Sequence, residues 1–210
     1  MIPNGFTSID EAMDIGRRVA MIADLLSPEE RSLLLKLARQ ALEAGVQGQL
    51  PTPLDLQALP TPLQQAGASF VTLTRYEDLR GCVGALEPYQ PLAEDVREHA
   101  IAAALQDFRF PPVQPSELPE IKIEISRLTL PKDLDYSSPE ELLARLRPGV
   151  DGVTLMDGSM RATFLPQVWE KLPEARSFLN HLCRKMGAPE DLWRRKKLRV
   201  QTYQVEEFHD

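Results

Sequence analysis

The sequence predicts an α+β fold: mixed or antiparallel sheets with flanking helices. Three observations predict it. Residues 121–126, Ile-Lys-Ile-Glu-Ile-Ser, alternate apolar and polar side chains, as a strand with one wet face does. Ser27-Pro28-Glu29-Glu30 and Ser138-Pro139-Glu140-Glu141 are capping boxes with proline at the first helical position. The strand-like and helix-like stretches also follow one another without the regular βαβ rhythm of a parallel sheet.

The elements follow in order. Ser8-Ile9-Asp10-Glu11 reads as the start of a weakly patterned helix in an N-terminal extension, residues 1–26. From Ser27 a second helix places Leu33, Leu34, Leu37, Ala38, Ala41 and Leu42 on one face. Four prolines between residues 46 and 66 (51, 53, 60, 62) resist helix and ladder alike and predict a loop with at most a short helical turn. Residues 68–74 and 79–86 form a strand pair around a turn at Tyr76-Glu77-Asp78, and residues 91–106 form a helix with Leu92, Val96, Ala100 and Ala103 on one side. A proline-rich loop, 107–120, leads to the strand at 121–126 and the short helix at 138–146. Asp157-Gly158 between residues 152–156 and 160–165 signals a hairpin. Helices at 166–172, 174–186 and 189–197 precede a final strand at 200–205, and residues 207–210 read as a tail.

At 210 residues the chain buries one large core or two modest ones. No apolar run approaches the roughly 20 residues that span a bilayer. Two cysteines make no disulfide framework, and no secretory signal opens the chain, so a reducing cytoplasm is the expected location. The net charge of −7 argues against non-specific nucleic-acid binding, which runs on phosphate neutralisation. The basic run at 194–199 is a local exception; it reads either as a solvated helix end or as the footprint of an acidic partner.

The most informative stretch is Leu79-Arg80-Gly81-Cys82-Val83-Gly84. A cysteine between two glycines, two residues after an arginine, predicts a bent backbone with an exposed thiol. Arg80 would favour the thiolate, and the N–H groups from Gly81 to Gly84 would form an anion-binding nest. The competing expectation is that Cys82 is a small core residue and the glycines serve packing. A second cluster, Asp107-Phe108-Arg109-Phe110, offers an arginine fork for a carboxylate or phosphate. It reads equally as a loop anchor, with both phenylalanines pinned to the core and Arg109 bonded to Asp107 or a carbonyl. A joint site, Arg109 beside Cys82, is the expected geometry. His99, His181 and His209 show no spacing to a zinc site or a catalytic dyad, and the sequence names no cofactor.

These motifs in this order resemble the AMMECR-type domain. The resemblance rests on Phe70-Val71-Thr72-Leu73, the hexapeptide 79–84, Ala102-Ala103, Asp107-Phe108-Arg109-Phe110-Pro111-Pro112, Ile125-Ser126 and Phe164-Leu165-Pro166-Gln167-Val168-Trp169. Phe178-Leu179, Leu182-Cys183 and Lys185 complete it, over residues 27–206. The chain is similar to the branch called AmmeMemoRadiSam system protein A. The family commonly has proline where Phe108 stands. The resemblance implies a larger and a smaller subdomain in one body. It also implies an unsettled activity in a pathway with a Memo-type and a radical SAM protein. Three roles follow as expectations: a small-molecule or thiol site with Cys82 and Arg80 as reacting groups and Gly81, Gly84, Asp107 and Arg109 holding the ligand; a non-catalytic adaptor for one of those partners; and a nucleic-acid-associated regulator.

Overall fold

The computed structural model describes residues 25–210. The helix expected after Ser8, and nearly all of the 1–26 extension, lie outside the described residues. The first helix, α1 (Pro28–Val46), starts at the expected box: Ser27 Oγ accepts the Glu30 N–H at 3.2 Å, and the Ser27 N–H donates to the Glu30 carboxylate at 2.7 Å. The proline-rich stretch holds only a 3₁₀ turn and a four-residue α2 (Thr61–Gln64).

Two antiparallel sheets follow. The first has the order β2 (Asp78–Gly84), β1 (Ala66–Arg75), β4 (Ile121–Leu128), β9 (Val205–His209), and a short β3 (Gln90–Pro91) pairs with the start of β1. Helices α1 and α3 (Leu92–Leu105) cover one face. Leu34, Leu42, Val71, Leu73, Leu92, Val96, Ile123 and Ile125 bury themselves between them. The second sheet has the order β5 (Lys132–Asp133), β8 (Arg199–Tyr203), β6 (Gly152–Asp157), β7 (Met160–Phe164). It is joined by the short helices α4 (Pro139–Arg145), α5 (Val168–Lys171), α6 (Ala175–Lys185) and α7 (Leu192–Arg195). Its core stacks Trp169 on Phe178 at 3.8 Å, and the Trp169 indole donates to the Asp151 carbonyl at 2.7 Å. A third cluster, Ala68, Leu128 and Tyr203 with Phe70, Leu165 and Val205, packs where the two lobes meet.

Two expectations change. The final strand is two strands in two sheets: the chain leaves β8, is pinned at Gln204 by its bonds with Thr129, and enters β9. The expected tail at 207–210 is therefore mostly strand, with Phe208 buried against Ile125 and Asp210 accepting the Ile123 N–H at 2.8 Å. The alternation was masked because the other inward position is Glu206, whose buried carboxylate is paired with Arg31 and Arg127. The turn into β2 also has a less familiar form. Tyr76 and Glu77 both have positive φ (55° and 68°), the pattern of a type I′ hairpin normally filled by Asn-Gly.

Candidate functional site

Strand β2 is not kinked at Cys82. Its register with β1 is regular from Gly84↔Phe70 through Cys82↔Thr72 to Gly81↔Leu73, and one bulge then sets Arg80 out of step. None of Gly81, Cys82, Val83 and Gly84 has positive φ. The expected anion nest is thus absent, because it requires alternating backbone hand that a strand does not have. The glycines answer to close approach instead. A Cβ on Gly81 would lie 2.1 Å from the Ala103 carbonyl oxygen, so glycine lets α3 lie against β2. One on Gly84 would lie 2.5 Å from the Phe70 ring.

The outer side of β2 is a sheet edge, and the loop after α3 caps it. The Cys82 N–H donates to Asp107 Oδ2 at 2.8 Å, and Arg109 Nη2 donates to the Cys82 carbonyl at 3.1 Å. Arg109 closes the ring by donating to both Asp107 oxygens, Nε to Oδ1 at 2.9 Å and Nη2 to Oδ2 at 2.6 Å. Acceptor and donor stand where a neighbouring strand would put its carbonyl and N–H, so the ion pair satisfies the edge. The Arg109 guanidinium holds the Asp107 carboxyl far below the usual carboxylate range, helped by the Cys82 and Arg109 N–H groups and against the cost of burial. The Arg109 guanidinium is in turn pushed up, chiefly by Asp107 and also by the Cys82 thiol beside it. The expected joint geometry of Arg109 and Cys82 is present. Phe108, however, is not pinned to the core: it is 97% exposed.

Arg80 is placed elsewhere. It forks onto Glu117, Nε to Oε1 at 2.9 Å and Nη2 to Oε2 at 3.0 Å, and ties the segment before β4 to β2. Chiefly through Arg80, the Glu117 carboxyl is held down to about 2. The guanidinium next to Cys82 is Arg109's, bonded to its main-chain carbonyl.

Strand alternation turns the Cys82 side chain to the face that α1 and α3 leave uncovered. There it lines a hollow of about 160 Å³ with Phe70, Thr72, Glu124, Ser126 and Gln167. The Thr72 hydroxyl donates to Cys82 Sγ at 3.4 Å. Register extends this contact into a row across four strands: Cys82, Thr72, Glu124, His209. At about 5 Å per step, Glu124 stands roughly 10 Å and His209 roughly 15 Å from Cys82, beyond direct proton transfer. His99 lies on the helix-covered side of the sheet, its Nδ1 3.2 Å from buried Asp95, which accepts the Ser69 hydroxyl at 2.6 Å. His181 bonds its own helix at the Ser177 carbonyl. Cys183 is fully buried in the second lobe, and burial pushes its thiol up. No group of His, Cys, Asp and Glu suited to a metal ion occurs among the described residues.

In the basic run, Lys196 pairs with Asp157 at 2.7 Å, Arg199 with Asp133 at 3.0 Å, and Arg195 with Asp191. Arg194 lies over Trp193, and Lys197 lies over Tyr136. Cations so engaged suit a solvated helix end. Among the described residues no helix is long and apolar enough to cross a membrane.

Comparison with known proteins agrees with this architecture. The family model described as AMMECR1 matches residues 35–208. The chain belongs to the AMMECR1 family. It is 40% identical over 188 residues to a protein of Methanothermobacter thermautotrophicus, covering 88% of this chain and 96% of that one. It is 39% identical over 200 residues to a protein of Thermofilum pendens, covering 87% and 91%. A crystal structure of an uncharacterized protein from Pyrococcus horikoshii superposes with a TM-score of 0.69 at 33% identity, covering 88% of this chain and 93% of that one. The AMMECR1 fold is therefore shared at the level of whole chains, and these relatives carry no stated activity.

The wet face of β4 was visible in the sequence as Lys122, Glu124 and Ser126. Its place beside Cys82 was not, because register between β1 and β4 is a long-range pairing. His209 was missed for the same reason.

Proposed function

We propose that this AMMECR1-family protein binds a small molecule on the uncovered face of its first sheet, with the Cys82 thiol as the reacting group. The observation that carries the reading is the position of Sγ. It lines a hollow instead of the aliphatic core, with the Thr72 hydroxyl donating to it and the Arg109 guanidinium bonded to the Cys82 carbonyl. A thiol lining a hollow can meet a small electrophile there without an adjacent base. The neighbouring acids support that route over a dyad, since Asp107 spends its oxygens on Arg109 and the Cys82 N–H. A Memo-type and a radical SAM protein are the proposed pathway neighbours, on the strength of the motif set alone.

Alkylation of the folded protein by iodoacetamide at pH 7, read by mass spectrometry, tests this. Cys82 should react faster than free cysteine and Cys183 not at all, and Arg109→Gln should slow Cys82 about fivefold. Reaction no faster than free cysteine and indifferent to Arg109→Gln would refute the thiol reading.

Phe108 favours a second reading, in which the protein docks one of those partners without chemistry of its own. An almost fully exposed phenylalanine beside the edge cap is a ready anchor for a protein surface. If so, Phe108→Ala abolishes co-purification of the partner and leaves Cys82 alkylation unchanged.

A further inference from the structure

A larger cleft, about 370 Å³, opens between the two lobes and goes beyond the Cys82 hollow. Its volume falls in the range of small-ligand sites. Buried Ala68, Leu128, Thr154, Ala162 and Tyr203 form its floor, and Leu86 and Leu130, both exposed, stand at its mouth. Arg161 on β7 and Lys185 at the end of α6 also line it.

The floor is built to seat one ring. Gly152 lies opposite Tyr203, and a Cβ there would come within 2.4 Å of the phenol. Glycine lets the ring lie flat, and its hydroxyl donates to the Phe164 carbonyl at 3.1 Å. Thr154 donates to Thr163 at 3.0 Å, and Thr163 to the Val153 carbonyl at 3.1 Å. Every hydroxyl proton of this trio is thus spent inside the protein. These three hydroxyls offer the cleft lone pairs only, whereas the rim offers two cations. Lys185 gives one N–H to the Thr163 carbonyl at 2.9 Å, and its ammonium has two more. Arg161 is paired across the lobes with Glu87 at 2.5 Å, and Glu87 sits on an exposed stretch after β2. A carboxylate already occupies the guanidinium in this state. Counting Arg161, Lys185 and Glu87, the rim carries one net positive charge.

We propose that the interlobe cleft binds a small organic monocarboxylate. Its anionic head lies between Arg161 and Lys185, replacing or joining Glu87. Its apolar body lies inward against Leu86, Leu128, Leu130 and Pro131. One ligand charge neutralises the rim, and the apolar walls take the rest.

The test is titration of the full chain with sodium hexanoate, followed by amide and methyl NMR shifts, with 1-hexanol as the uncharged control of the same body. Hexanoate should move signals of residues 161–163, Leu130 and Lys185 and bind at least tenfold tighter than hexanol. Arg161→Gln and Lys185→Gln should each weaken it roughly tenfold. Glu87→Gln, which removes the competing carboxylate, should strengthen it several-fold, a gain that a misfolded variant does not produce. Equal binding of hexanol, shifts confined to other surfaces, or no gain from Glu87→Gln would overturn the proposal. The readout is separate from Cys82 alkylation, so either proposal can fail alone.

Discussion

The edge cap predicts a specific stability loss. Asp107 accepts the Cys82 N–H, the Arg109 N–H and two guanidinium bonds, at 2.8, 3.2, 2.9 and 2.6 Å. Its side chain is 3% exposed, whereas that of Arg109 is 46% exposed. The carboxylate therefore depends on its partners more than the guanidinium does. Asp107→Asn keeps one carbonyl oxygen but turns an amide NH₂ toward a donor. Hydrogen bonds to a charged group contribute roughly 1.5–3 kcal/mol, and solvent screens the Arg109 share, so the loss should be about 2 kcal/mol. Arg109→Gln leaves the buried carboxylate with backbone N–H groups only and should cost less than Asp107→Asn, with the double variant costing less than the sum.

Urea unfolding at pH 7 reads this as a midpoint shift near ~1 M, taking a slope of ~2 kcal/mol/M. The sign with pH follows from the depressed carboxyl: its contribution is full above the unfolded value near ~4 and is lost as pH falls toward the folded value. The gap between wild type and Asp107→Asn should be constant above about pH 5 and narrow below about pH 4. Amide exchange at Cys82 gives a local check, since Asp107→Ala exposes an outward edge N–H to water. A loss below ~0.5 kcal/mol, or unchanged protection at that amide, would refute the capping role.

Other outcomes follow from the same geometry. Gly81→Ala places a Cβ against the Ala103 carbonyl, which belongs to helix backbone and cannot swing aside; the cost should be about 3 kcal/mol or more by urea unfolding, and a loss near zero would mean β2 and α3 are not in contact. Replacing Tyr76-Glu77 by Asn-Gly relieves two left-handed non-glycine residues and should raise stability by about 1–2 kcal/mol despite the lost Glu77–Lys122 ion pair, as a melting curve would show.

Local signals were legible to the extent that they depend on near neighbours. The Ser27 and Ser138 caps, the 121–126 alternation and the glycines near Cys82 all announced themselves, since capping, pleating and turn preference act over a few residues. The glycines read as freedom to bend, with packing as the competing expectation. Only the packed structure shows that they make room for Ala103 and Phe70. Phe108 reads as an anchor in one dimension because hydrophobicity does not say which way a loop turns.

By itself, then, the sequence determined the element types, the α+β class and the presence of a thiol, an acid and an arginine in one family pattern. Tertiary structure decided which of them meet. Cys82 joins Asp107 and Arg109 because a sheet edge must have its N–H and carbonyl satisfied, and a loop 25 residues away happens to end there. It joins the Thr72–Glu124–His209 row because antiparallel register is set by the burial of the opposite face, a property of the whole sheet and not of any one strand.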